Sequence, residues 1–208
     1  MNFKKDNYLV CKKIISKEIS KFLYEYFVLK RQVAYTLYTN EYLPPNINVF
    51  GTWTDDFVPN TYCHYGDVAM ETLLKKLLPE IEKKINFKLI MNYSYARLYM
   101  KGDVLPKHID RYCCEVSTTL NLGGDLWPFY LKLDDNNIKK INLYPGDMLI
   151  YRGDILEHWR EPLKGKECCQ VFLHYNKKNK ITKLNEFDNR LHLGLPPISD
   201  VVLKKNYE

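Results

Sequence analysis

The sequence predicts an α+β fold. A double-sheet jelly roll, of the double-stranded β-helix or cupin-like kind, is expected over residues 87–176. Residues 1–86 supply buttressing N-terminal helices, and 177–208 form a C-terminal extension of one compact domain. Two observations lead there. Apolar residues recur at helical spacing before Phe87 and at a period of two after it. Clusters of Gly, Pro, Asn and Asp then cut the second half into strand-length runs, with a turn signal about every 8 to 12 residues.

Taken in order, Tyr8-Leu9-Val10 has the length of an edge strand. Ser16, with Glu18 in the following turn, reads as a helix start. Ile19, Phe22, Leu23, Tyr26 and Phe27 repeat at i, i+3, i+4, i+7 and i+8, which predicts an amphipathic packing helix. Residues 40–66 read as a loop, with Pro44-Pro45, Gly51, Pro59 and Gly66 among Trp53, Phe57, Tyr62 and Tyr65. An aromatic loop of that length suits a lid over a pocket as well as a plain surface connection. Cys63-His64 within it lacks partners at ligand spacing. Val68, Leu73, Leu74, Leu77 and Leu78 predict a second helical region over 67–86. Pro79 there marks a break or the first turn of a following helix.

From Phe87 onward the runs are extended. Leu89-Ile90-Met91 leads into a strand on which Tyr93, Tyr95, Arg97 and Tyr99 share one face. Gly102-Asp103 turns the chain, and 106–111 resumes it. The next runs are 115–122, 129–133, 138–143 and 148–151, with turns at Gly123-Gly124-Asp125, at 134–137 and at Pro145-Gly146-Asp147. The last run is 168–175. The charged Lys177-Lys178-Asn179-Lys180 predicts a surface extension or short helix.

Composition bounds the function. Of the 208 residues, 46% are hydrophobic and 27% charged, as expected of a soluble globular chain. No apolar run approaches the ~18 residues of a spanning helix, and Met1-Asn2-Phe3-Lys4-Lys5 lacks the apolar stretch of a signal peptide. A cytoplasmic protein without a membrane partner is expected. The net charge of +6 is spread along the chain, which predicts solubility rather than a nucleic-acid surface. Cys11, Cys63, Cys113, Cys114, Cys168 and Cys169 show no Cys-x-x-Cys spacing, so a zinc ribbon is disfavoured and small core hydrophobes are expected.

The chemistry centres on His108-Ile109-Asp110. On an extended chain residues i and i+2 point to one face. His158, in Glu157-His158-Trp159-Arg160, is the distal candidate. Two imidazoles and one carboxylate form a facial triad that leaves metal positions open, the set used by non-haem Fe(II) oxygenases rather than by structural zinc.

The run from Tyr95 to Arg111, with Pro145-Gly146-Asp147-Met148-Leu149-Ile150-Tyr151, Glu157-His158-Trp159-Arg160 and Gln170-Val171-Phe172-Leu173-His174-Tyr175, resembles the 2-oxoglutarate- and Fe(II)-dependent dioxygenases. It is most similar to their prolyl-hydroxylase-like branch, which includes phage and viral members; a viral origin would place the protein in host cytoplasm. The resemblance covers residues 87–176. It implies His108, Asp110 and His158 as iron ligands and Tyr99 as a hydroxyl partner of a 2-oxoglutarate carboxylate. It also implies a cation after the distal histidine for the far carboxylate, where a guanidinium fork or an ammonium is required.

Lys166 ranks first for that cation, because it shares a strand face with Cys168, Gln170, Phe172 and His174 if the strand begins that early. Arg160 and Arg97 follow. Their alternatives are a salt bridge with Glu157 or Glu161 and a structural ion pair. Thr119 and Gln170 are further cosubstrate candidates, set against plain packing. Arg111 is a candidate to fix the Asp110 carboxylate. Trp127 and Trp159 are expected in the core, and Asp103 and Asp147 in their turns. The implied activity is hydroxylation of a prolyl residue in a peptide or protein, with succinate and CO2 as coproducts and ascorbate as a reductant. The alternatives are the same chemistry on a free amino acid, another side chain or a nucleobase, the last requiring a continuous basic surface. A cupin-like binding module without turnover, or a zinc protein using the cysteines, would be of another class.

Overall fold

The computed structural model describes residues 3–43, 48–179 and 182–197. In chain order the elements are α1 (Phe3–Asp6), β1 (Tyr8–Cys11), α2 (Lys17–Thr39), β2 (Tyr62–Tyr65), α3 (Val68–Ile85), β3 (Leu89–Met100), β4 (Leu105–His108), β5 (Val116–Gly124), β6 (Phe129–Asp134), β7 (Asn137–Ile141), β8 (Met148–Tyr151), β9 (His158–Arg160) and β10 (Glu167–Lys177). Short 3-10 segments lie at Tyr112–Cys114 and Thr182–Asn189. The strands form two antiparallel sheets, one ordered β1-β8-β5-β10-β3-β2 and the other β4-β9-β6-β7.

Two cores follow from the alternation of side chains along these strands. Tyr99, Leu105, Phe129, Leu131, Leu149 and Tyr151 pack between the sheets. The opposite face of the larger sheet, with Ala96, Leu98, Leu120, Ile150 and Val171, packs against Leu23 and Phe27 of α2 and Leu74, Leu77 and Ile81 of α3. The six cysteines are free and buried, as small core hydrophobes would be. Among the described residues no helix is long and apolar enough to cross a membrane.

Three helical and loop expectations change. Ser16 does cap α2, accepting from the Ile19 N–H, but the buried face is Ser20, Leu23, Phe27 and Ala34, with Ile19 and Phe22 exposed. Ser20 accounts for the rotation: its hydroxyl lies within hydrogen-bond reach of the Leu122 carbonyl, at 2.8 Å, which draws a polar residue onto the sheet. Pro79 neither breaks α3 nor starts a new helix. The burial of Ile81 and Ile85 beyond it outweighs the one backbone bond that proline removes. α3 ends instead at Asn86, whose φ of 55° is the left-handed cap conformation. Within the 40–66 loop, Tyr62–Tyr65 forms strand β2 on the edge beside β3. Pro44-Pro45 lies outside the described residues.

The C-terminal stretch is more than a surface extension. Arg190 is buried and donates to Glu71 at 2.7 Å, to the Asn92 carbonyl at 3.0 Å and to the Leu195 carbonyl at 2.6 Å. Glu71, buried on α3, also accepts from the Ser94 and Gly194 N–H groups. Removing one partner of such a pair strands the other charge in the interior. Glu71→Ala is expected to cost about 3–5 kcal/mol, read as a lower urea midpoint, whereas exchanging Glu71 and Arg190 together for apolar residues should cost far less. An unchanged midpoint for Glu71→Ala would mean that the clamp does not form.

Candidate active site

β4 and β9 are neighbours, and their register sets His108 opposite His158, with ring centroids 4.1 Å apart. Asp110 follows β4. Its N–H donates to the Gly153 carbonyl at 2.8 Å, and its Oδ1 lies 3.5 Å from His108 Nε2 and 3.6 Å from His158 Nε2. One donor atom from each of the three side chains falls within 4.8 Å of the others. Sequence order and sheet pairing together thus bring the predicted trio into one place.

Proton accounting shows what this trio can hold. His108 Nδ1 is 2.8 Å from the Pro106 carbonyl and His158 Nδ1 is 2.8 Å from the Leu156 carbonyl. A carbonyl only accepts, so each Nδ1 carries a proton, and Nε2 is the nitrogen each ring leaves for a metal. Once both Nε2 atoms give up their protons, two lone pairs and a carboxylate oxygen face one another, an arrangement that a metal cation completes. Burial would raise the Asp110 carboxyl, but His108 and His158 outweigh burial and hold it far below the usual carboxylate range. The donor set fits a divalent metal with open positions, Fe(II) among them.

Behind this trio sits a polar shell that the sequence reading did not single out. Ser117 Oγ donates to Asp110 Oδ2 at 2.5 Å and lies 3.1 Å from His174 Nδ1. Burial lowers His174 to about 4, so it is a neutral imidazole near pH 7. The buried Tyr151 hydroxyl lies 3.3 Å from His158 Nε2. Gly153 leaves room for this shell, because a Cβ there would overlap both the Asp110 carboxylate and Ser117 Oγ. Only Ser117 and His174 carried a readable signal: their parity on their strands.

Deeper in lies a second set. Tyr99 is fully buried and its hydroxyl has no partner among the described residues. Arg160, 1% exposed, lies between the Trp127 and Phe129 rings, 4.9 and 5.2 Å from their centroids. Its Nη1 donates to the Trp127 carbonyl and its Nη2 lies 3.4 Å from Thr119 Oγ1, while its Nε has no acceptor among the described residues. Thr119 Oγ1 donates to Gln170 Oε1 at 3.1 Å. No ion pair joins Arg160 to a carboxylate among the described residues, and burial pulls its pKa down. A buried, uncompensated guanidinium beside an unpartnered hydroxyl is a site for an anion.

Three expectations are corrected here. Lys166 does not face the space between the sheets. β10 starts at Glu167, so Lys166 belongs to the preceding turn, its N–H donating to Asp125 at 2.5 Å and its side chain exposed. Arg160 is not tied to Glu157 or Glu161. Arg111 does not hold Asp110; it reaches Asp188 at 2.9 Å and stacks on Tyr93. Arg97 does form the ion pair, donating to Asp55 at 2.7 Å.

A cavity of about 440 Å3 opens over the trio, walled in part by Phe57, Tyr93, Tyr95, Arg97, Tyr99 and Phe172. That volume suits a small molecule or a side chain. The 40–66 loop contributes directly: the Phe57 ring meets His108 edge-on at 4.6 Å.

The sequence matches no family model and no curated protein. The fold does have relatives among solved structures. A Pseudomonas putida prolyl-4-hydroxylase superposes with a TM-score of 0.65 at 12% identity, covering 85% of this chain and 96% of that one. HygX from Streptomyces hygroscopicus, with nickel and 2-oxoglutarate bound, gives 0.60 at 14% identity over 85% of each chain. The viral collagen prolyl hydroxylase of Paramecium bursaria Chlorella virus-1, in complex with 2-oxoglutarate, gives 0.57 at 11% identity over 84% of this chain and 98% of that one. These solved structures, two prolyl hydroxylases and a protein with nickel and 2-oxoglutarate bound among them, share the fold found here.

Proposed function

We propose that the protein is a 2-oxoglutarate- and Fe(II)-dependent dioxygenase, its two sheets forming a double-stranded β-helix, that hydroxylates a prolyl residue of a peptide or protein. One observation carries the reading. The cation-seeking trio and Tyr99 line one cavity, and the anion-seeking Arg160 packs on the same Trp127 ring that Tyr99 meets. A metal-chelating dicarboxylate is the ligand class that serves both.

In this reading His108, Asp110 and His158 hold the iron. Arg160, Tyr99 and Thr119 hold the far carboxylate of 2-oxoglutarate, with Gln170 orienting the threonine hydroxyl. The bound iron and cosubstrate supply oxidative decarboxylation to succinate and CO2, coupled to hydroxylation. The chain supplies orientation and a dry pocket. The backbone carbonyls of Pro106 and Leu156 fix the imidazole tautomers, Ser117 fixes the carboxylate, and the Phe57 segment shields His108 from water. The prolyl substrate is supported by likeness to bacterial and viral prolyl hydroxylases and by the aromatic mouth.

The test supplies Fe(II), 2-oxoglutarate and ascorbate with a library of proline-containing peptides. Succinate release and a mass increase of about 16 on proline, one oxygen atom, are expected. Succinate without modified proline would move the substrate elsewhere, and no Fe(II)-dependent succinate would remove the oxygenase reading altogether.

A further inference from the structure

Two arginines line the cavity, and both are already matched by carboxylates: Arg97 by Asp55 and Arg111 by Asp188. Arg97 is set deeper, its side chain 4% exposed. Its Nη2 donates to Asp55, and its Nη1 lies 3.5 Å from the Val58 carbonyl. Its Nε is buried without an acceptor among the described residues. Asp55 in turn is saturated, accepting from the Tyr95 hydroxyl and from the Phe57 and Val58 N–H groups.

This arrangement has a polarity preference. A buried donor without an acceptor gains from any ligand that supplies one. A carboxylate approaching Arg97 would also meet the charge of Asp55, whereas a neutral carbonyl oxygen takes the hydrogen bond without that repulsion. A ligand ammonium finds the oxygens of Asp55 already taken. His174, on the same wall, is uncharged near pH 7 and adds nothing for an anion.

We propose that Arg97, with Asp55 as its charge-cancelling partner, is the docking residue for the prime substrate, and that the pair selects an uncharged acceptor, the amide carbonyl of a chain-internal residue, over the carboxylate of a free terminus or free amino acid. This rests on the oxygenase reading of the site.

The experiment uses full-length protein loaded with Fe(II) and 2-oxoglutarate without oxygen, so that binding is read apart from turnover. The probes are acetyl-Ala-Ala-Pro methylamide and the same peptide as its free carboxylate. The wild type should bind the methylamide at least about tenfold more tightly. Arg97→Lys keeps the charge and the Asp55 pair but loses the Nε donor. It should weaken methylamide binding about tenfold and leave 2-oxoglutarate affinity unchanged. Asp55→Asn keeps the Arg97 contact and unmasks its charge, and should narrow or reverse the preference. Equal or tighter binding of the carboxylate by the wild type, no saturable binding of either probe, or an Arg97→Lys effect on 2-oxoglutarate instead of the peptide would overturn the proposal. A parallel succinate assay separates the two readings. If succinate forms and the preference fails, only the docking role falls; if no succinate forms, the oxygenase reading falls first.

Discussion

Arg160→Met should raise the 2-oxoglutarate concentration needed for turnover at least about a hundredfold while leaving the thermal midpoint of the ligand-free protein unchanged or higher. The two halves come from one fact. Arg160 is buried with no carboxylate partner among the described residues, so in the free protein its charge is a cost. Exchanging a buried charge for an apolar side chain of similar volume is often neutral or stabilising. Some of that gain is offset by the Trp127 carbonyl losing its donor, about 1–3 kcal/mol. With cosubstrate bound, the same guanidinium becomes half of a buried charge pair, whose truncation costs about 2–5 kcal/mol, and a hundredfold corresponds to about 2.7 kcal/mol. Calorimetry of 2-oxoglutarate binding and a thermal melt read both signs. Lys166→Ala, on an exposed turn, should change neither. If Lys166→Ala raises the requirement and Arg160→Met does not, the anion site has been put in the wrong place.

The His108–Asp110 pair was legible in the sequence because i and i+2 on an extended chain converge whatever the rest of the fold does, whereas His158 reaches it only through the pairing of β9 with β4. The strand runs were legible for the same reason, and β3 presents Tyr93, Tyr95, Arg97 and Tyr99 to the cavity as the alternation requires. Lys166 was placed on β10 because parity was applied beyond its range. Lys166 has the right phase for β10 but precedes it. Arg160 has equally good phase, two residues after His158 on β9. Its polar neighbours Glu157 and Glu161 hid that it is wholly buried. The α2 face turned on Ser20, whose reason lies on a strand far along the chain. Glu71 and Arg190 likewise find each other only in three dimensions. Gly153 carries no local signature, since its meaning is the distance to one carboxylate.

That carboxylate gives the most severe prediction. Asp110→Ala should abolish Fe(II)-dependent succinate formation, because it removes the anionic member of the facial set and leaves two neutral imidazoles. Gly153→Ala should do a graded version of the same damage from outside the trio. Its φ is not in the left-handed region, so the backbone accepts alanine. The new Cβ, however, falls well inside van der Waals contact of Asp110 Oδ2 and Ser117 Oγ. Either the carboxylate moves away from His108 and His158 or the 153–110 backbone bond stretches. Loss of a group that orients a metal ligand costs about 10–100-fold in metal affinity, and that is the range expected for Gly153→Ala by Fe(II) or Co(II) titration, with the fold retained. Ser117→Ala removes one hydrogen bond without displacing the carboxylate and should fall below Gly153→Ala in effect. Wild-type metal affinity in Gly153→Ala would mean that the Asp110 carboxylate is not held where it meets the two imidazoles.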